Sequence, residues 1–272
     1  MWTNFDRTPL EAPSADAWKD LDALALWFPG INRSTGGLTG PNPSPVFTGE
    51  VAAKRSVARR SMVIDPPDGR LPILPVAGAV RDAHLRRLTD SWLFHGPWER
   101  CITRGMPGVM FPTYNSGHLI LQIPGYVVIL SEMIHATRII PLGGQQPPVP
   151  SQIRQWDGSP RGHWDGNTLM VETDHYNDKG TVGTNLSTLR LRGIPQSEAL
   201  HVVERFTPVD PDTIRYEVTV DDPSAFARPW TASMPLNRSP NYDIFEYACH
   251  EGNYGLPNTL SGARAQEKTH AP

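Results

Sequence analysis

Through much of the second half of the chain, apolar and polar residues alternate with a period of two. Thr213-Ile-Arg-Tyr-Glu-Val-Thr-Val220 places Ile214, Tyr216, Val218 and Val220 on one face and Thr213, Arg215, Glu217 and Thr219 on the other. Successive side chains of a strand point to opposite faces, so the apolar set must meet a core. Residues 198 to 206 group Leu200, Val202, Glu204 and Phe206 against His201, Val203 and Arg205. Leu169, Val171, Thr173 and His175 group in the same way. Further strands are predicted at 118–123, 126–133 and 136–141, with two final ones at 226–233 and 242–249. Gly166 can take the positive φ that a tight hairpin turn requires, so Asp165-Gly166-Asn167 joins two strands over 162–175.

The first half reads differently. Ser14 opens a short helix with Leu21, Leu24 and Trp27 near helical spacing, and Pro29 stops it. Residues 29 to 50 form an irregular arm rich in glycine and proline, and 50 to 60 a short basic helix. Pro66-Pro67-Asp68-Gly69 is a turn. A helix follows between Pro75 and Leu93, with Arg81, Arg86 and Arg87 on a solvated face. From about Gly262 the chain is expected to fray.

Composition narrows the class. The chain has 272 residues, enough to bury a sizeable core without metal or disulfide. Its 28 prolines, roughly twice average usage, exclude many long helices. No apolar run is long enough for a membrane span. A net charge of −3, with basic residues clustered only from Lys54 to Arg60, argues against nucleic acid as the main partner. Cys101 and Cys249 allow either one disulfide or two thiols, and no Cys-x-x-Cys pair is present. Gly-x-Ser-x-Gly and phosphate-cradling glycine loops are also missing, which disfavours serine hydrolysis and nucleotide chemistry.

Candidate chemistry concentrates at the 162–175 hairpin, which carries His163, Trp164, Asp165, Glu172, Asp174 and His175. Glu204 is the second focus, because a carboxylate among apolar neighbours has a raised pKa unless it is paired. It is therefore either a general acid or base, or half of a buried ion pair with Arg138 or Arg205. His135 and His201 complete the acid–base candidates. Arg138, Arg161 and Arg205 could stabilise a developing enolate or carboxylate, and Trp164, Tyr216 and Trp230 could wall an apolar pocket. A metal site drawn from His118, His135, His163, His175 and His201 is the alternative, although their spacing forms no ligand motif. Asp222, before Pro223, fits a turn hydrogen bond better than catalysis, and Trp230 fits core packing better than stacking on substrate. Asn253 and Glu251 fit a role in pinning the C-terminal segment.

Several ordered segments resemble an uncharacterised bacterial family, abundant in soil and water, whose members are often exported and have no settled activity. They are Met133-Ile-His-Ala-Thr-Arg-Ile-Ile-Pro-Leu142, Ile153-Arg-Gln-Trp156, Arg161-Gly-His-Trp-Asp-Gly-Asn-Thr-Leu169, Leu200-His-Val-Val-Glu-Arg-Phe-Thr207, Tyr216-Glu-Val-Thr-Val-Asp-Asp-Pro223, Arg228-Pro-Trp-Thr231 and Glu246-Tyr-Ala-Cys-His-Glu-Gly-Asn-Tyr254. The likeness spans residues 60 to 265. It implies a periplasmic or secreted protein whose leader has been removed, with a cytoplasmic location as the alternative, and hence a Cys101–Cys249 disulfide. Ala136, Asp165-Gly166-Asn167 and Gly143-Gly144-Gln145 depart from the family pattern, which carries Asp, Glu-Gly-Asp and Asp-Gly-Arg there.

The expectation is a mainly β fold, an antiparallel meander closing into a barrel-like (lipocalin- or calycin-like) sheet over 116–262. An N-terminal arm of loops and short helices over 1–115 packs on it, and 263–272 is a frayed tail. The expected function is a cofactor-independent acid–base enzyme, a lyase or isomerase acting on a small, largely apolar molecule in a barrel pocket. The catalytic candidates are His163, Glu204, His201, His175, Glu172, Asp174, His135 and Arg205; Trp164, Tyr216, Trp230, Arg138 and Arg161 would bind substrate. No cofactor, nucleic acid or membrane is expected, and a homo-oligomer is compatible with the sequence. The alternatives are a metal-dependent enzyme and a non-catalytic binder of hydrophobic ligands or sugars. If His163 and Glu204 are catalytic, His163→Ala and Glu204→Gln should abolish turnover with the melting temperature nearly unchanged.

Overall fold

A computed structural model describes residues 1–3, 61–111, 115–144, 149–183 and 193–270. The helix expected at 14–28, the arm at 29–50 and the basic helix at 50–60 lie outside the described residues. Among the described residues there are ten strands: β1 (Trp2–Thr3), β2 (Val63–Asp65), β3 (Gly117–Ile123), β4 (Tyr126–Ser131), β5 (Thr137–Pro141), β6 (Ser159–Asp165), β7 (Thr168–Asp174), β8 (His201–Asp210), β9 (Thr213–Asp221) and β10 (Trp230–Arg238). Two helices, α1 (Pro75–Arg86) and α2 (Gly255–His270), accompany them.

The strands form one antiparallel path, β5-β4-β3-β1-β10-β9-β8-β7-β6 with β2 on β10, which the short β1 divides into a three-stranded and a six-stranded sheet. The two-residue β1 lies between β3 and β10 and stitches the sheets together. One edge of β10 is therefore shared, with β2 at Thr231 and Ala232 and β1 at Asn237 and Arg238. At the other end of the path, β5 and β6 approach at a single bridge between Leu142 and Gly162. Gly162 permits that approach, since a Cβ there would lie 2.8 Å from both Ile140 and Leu142. One bridge is not a ladder, and the described strands form no closed barrel.

Alternation predicts the inner faces of 198–206 and 213–220 correctly. Ile214, Tyr216, Val218 and Val220 are buried, as are Leu200, Val202, Glu204 and Phe206. From the smaller sheet, Val127, Ile129 and Ile140 join the same core cluster. Met106, Val109, Met110 and Phe111 extend it from the preceding loops. The hairpin turn forms with Gly166 at φ +60°, and Gly69 N–H closes the Pro66 turn at 2.9 Å.

Other expectations need correction. The strand expected at 226–233 begins at Trp230 and runs to Arg238. The one expected at 242–249 is irregular chain, held by a Cys101–Cys249 disulfide and by Asn253 Nδ2 donating to the Glu99 carbonyl at 3.0 Å. Its Tyr-Asp-Ile-Phe run looks β-prone, but among the described residues no strand pairs with it. The tail expected to fray from Gly262 is instead the continuation of α2 to His270. Its Ala, Gln, Glu and Lys are good helix formers, a signal that polarity hid. α1 stops at Arg86 rather than near Leu93, leaving Arg86 and Arg87 exposed. No helix among the described residues is long and apolar enough to cross a membrane.

Candidate functional site

An ion pair crosses the core between the two sheets. Arg138 sits on the inner face of β5, beside Ile129 of β4, and Glu204 on the inner face of β8, beside Val171 and Val218. The guanidinium reaches across and binds the carboxylate through both terminal nitrogens, with Nη1 2.9 Å from Oε1. Tyr216, on β9, donates its hydroxyl to the same Oε1 at 2.9 Å. Glu204 and Tyr216 are fully buried and Arg138 is 6% exposed. Of the two readings of Glu204, its pairing with Arg138 is the geometry present; Arg205 points outward on the exposed face, opposite Glu217.

Other polar groups share this interior. His118 of β3 is fully buried, with Nδ1 3.0 Å from Ser131 Oγ. Burial first, and the nearby Arg138 charge second, lower its pKa to about 4, so the imidazole is neutral at neutral pH. Its Nε2 has no hydrogen-bond partner, and neither has Arg138 Nε. Burial acts to lower the Arg138 pKa, but the charge and hydrogen bonds of Glu204 outweigh it and raise the value. Burial raises the Tyr216 and Tyr176 phenols well above their usual range, and the charge of Glu204 adds to this, so both remain protonated. Asp157 receives a 2.5 Å hydrogen bond from Thr103 Oγ1, and its pKa is raised by burial although that bond and Arg138 oppose the shift. The interior thus combines a guanidinium, two carboxyl groups, a neutral imidazole and two neutral phenols. Such a set can accept a proton, donate one and stabilise a developing oxyanion.

The hairpin is a separate, outward-facing feature. Arg161 and Asp174 form a bidentate pair with both contacts at 2.9 Å, and His175 Nδ1 lies 2.5 Å from Asp174 Oδ1. The Arg161 bonds are the main cause of an Asp174 pKa lowered to about 2. Glu172 lies across from Arg161 on the partly exposed face. His163 and Trp164 are exposed, Trp164 at 44%. His201 and Arg205 lie on the outer face of β8, the side away from Glu204. His135 is exposed in the Met133–His135 turn, with Nδ1 3.3 Å from the Tyr247 carbonyl.

Thirteen residues singled out in the sequence therefore do not form one pocket. The structure brings together Arg138, Glu204 and Tyr216 in the interior, and Arg161, Asp174 and His175, near Glu172, outside. Trp230 is core, packing edge-on to Phe226 at 5.7 Å, and Asp222 makes the expected turn bond to Ser224 N–H at 3.0 Å. Tyr176, Thr103 and Asp157 were not singled out. His175 has a left-handed backbone, φ +57°, which ends the alternation of β7 and turns the next residue, Tyr176, inward. Strict alternation had counted His175 on the inner face. Among the described residues no three His, Cys, Asp or Glu side chains gather in a metal-binding arrangement. Comparison with protein-family models, curated proteins and solved structures finds no match to this chain.

Proposed function

We propose that the chain is a cofactor-independent acid–base enzyme, a lyase or isomerase, acting on a small, largely apolar molecule admitted between the two sheets. One observation carries this reading: a buried Arg138–Glu204–Tyr216 network stands where apolar residues would pack, with unpartnered polar atoms on Arg138 and His118 beside it. Most buried polar atoms are hydrogen-bonded, and exceptions call for an explanation. In this reading His118 Nε2 takes a proton from one carbon of the substrate, the imidazolium so formed returns it at another, and Arg138 stabilises the anion between the two steps. Glu204 positions Arg138. On the same reading the sheet is barrel-like, with the Leu142–Gly162 contact as the seam. The protein would work outside the cytoplasm, where the Cys101–Cys249 disulfide persists. Its partner is a small molecule rather than nucleic acid or membrane, and self-association remains compatible.

The test is proton exchange. Small apolar ketones, enones and hydroxy acids are incubated with the protein in D2O, and carbon-bound deuterium is followed by NMR. Exchange that disappears in His118→Asn, in a variant that still unfolds cooperatively, supports the reading. Exchange unaffected by that substitution refutes the role of His118. The second reading, binding without turnover, is favoured by the depressed His118 pKa, since an imidazole titrating near 4 is a weak base. Saturable ligand binding with no exchange in any compound class would select it.

A further inference from the structure

The two sheets differ on the side away from the core. Alternation puts Leu119, Leu121 and Ile123 of β3 on the outer face of the smaller sheet. Register sets Leu121 beside Val128 and Val128 beside Ile139, with Leu119 beside Leu130. Leu121, Ile123 and Ile139 are 45%, 48% and 57% exposed. Of the side chains on this face only Thr137 and the Tyr126 hydroxyl are polar. The outer face of β8 and β9 instead carries Arg205, Thr207, Arg215 and Glu217. That is the polar surface expected where one side of an antiparallel sheet meets water. Single exposed apolar residues need no explanation, but a contiguous exposed patch marks an interaction site.

The dimensions of the patch select its occupant. Three strands about 4.8 Å apart and about six residues long offer a face about 10 Å wide and about 20 Å long, roughly 200 Å². That is far below the roughly 800 Å² each partner gives to a standard interface between folded chains. One short helix fits it, since a helix over residues 14–28 would be about 22 Å long and about 10 Å across. The spacing there puts Trp18, Leu21, Leu24 and Phe28 in one stripe about 120° wide, between Ser14 and Pro29. The chain also sets out from the right place. β1 ends at Thr3 opposite Gly117, at the end of the sheet that carries Leu119 and Leu130. The ten residues from Asn4 to Pro13 can span up to about 33 Å, more than the length of the face. Beyond Leu130 the apolar surface continues into a cavity walled by Ile244 and Phe245.

We propose that the outer face of β3-β4-β5 is a docking surface for residues 14–28 of the same chain, laid on it as an amphipathic helix with Trp18, Leu21, Leu24 and Phe28 inward. Tethering favours this occupant over a separate protein, because a linked segment is held at millimolar effective concentration. Docking closes the apolar face and leaves Lys19 and Asp22 on the solvent side. The proposal does not depend on the acid–base reading of the interior.

The experiment is photo-cross-linking in the full chain. p-Benzoylphenylalanine replaces Trp18, the monomer is irradiated, and cross-linked peptides are mapped by mass spectrometry. Cross-links from position 18 should fall on residues 119–141 or 244–245 of the same chain. Hydrogen exchange is the second readout: amides of 18–28 should exchange at least tenfold more slowly than unstructured chain. Ile139→Glu should remove both the cross-link and the protection while leaving exchange in β8 and β9 unchanged. Leu24→Glu, in the segment rather than the sheet, should do the same. Thr207→Glu, on the polar outer face, should change neither. Cross-links confined to other parts of the chain or formed between two copies, unprotected amides at 18–28, or protection that survives either Ile139→Glu or Leu24→Glu would overturn the proposal.

Discussion

Acid should destabilise this protein through His118 specifically, and the size of the effect follows from its burial. In the folded chain the imidazole titrates near 4, against 6.5 when unfolded. Between those values the unfolded state binds the extra proton, so stability falls as pH drops below 6.5 and levels off below about 4. Full displacement over this window corresponds to about 3 kcal/mol, and lowering pH from 7.5 to 4.5 realises about 2.5 kcal/mol of it. His118→Asn removes the titration but retains a group able to bond Ser131. Urea unfolding of both proteins at pH 7.5, 6, 5 and 4.5 gives two pH profiles in which groups common to both cancel. The wild-type profile should fall more steeply by about 2–3 kcal/mol over the range. Profiles parallel to within about 0.5 kcal/mol would refute the assignment of a buried, neutral His118.

Further outcomes follow from the same structure. Arg138→Met leaves Glu204 buried without its cation and should cost about 3–5 kcal/mol, whereas Arg138→Met/Glu204→Leu should recover most of it; a double variant no more stable than the single one, by urea unfolding, would contradict the pairing. For the same reason Glu204→Gln should lower the melting temperature clearly, so an unchanged temperature is no longer expected at that position. His163→Ala, on an exposed face, should stay within about 0.5 kcal/mol of wild type. Cys249→Ser opens a disulfide spanning a sequence separation of 148 residues and should cost about 3–5 kcal/mol; identical unfolding with and without reductant would argue that the bond is not formed. Asp174→Asn should lose under about 1 kcal/mol because its ion pair is largely solvated. The small Asp174 contribution is present above the ordinary carboxylate pKa and should disappear as pH falls from about 4 through 2.

Much of the sheet was legible because a half-buried strand writes its burial into the chain. Every second residue of 213–220 faces the core, and Glu204 could be placed among apolar neighbours before any partner was known. The choice of partner was not legible. Alternation already sets Arg205 on the face away from Glu204, but nothing in the spacing names Arg138, which the smaller sheet places opposite Glu204 by tertiary packing. The hairpin misled for a related reason: a dense group of titratable residues looks the same in sequence whether it points inward or into solvent. Tyr176 was hidden by one left-handed residue, because alternation carries no information past a break in the backbone.

The two-residue β1 carries a consequence for the order in which the protein assembles. β3, β4 and β5 can pair with one another from a continuous stretch of about 25 residues, and β6 to β10 form a meander of their own. β1 has no place to lie until both β3 and β10 exist, since it hydrogen-bonds to each. Trp2 and Thr3 are thus synthesised more than two hundred residues ahead of β10, and are among the last to be placed. During synthesis the β3 edge stays without its complete neighbour until β10 has left the ribosome.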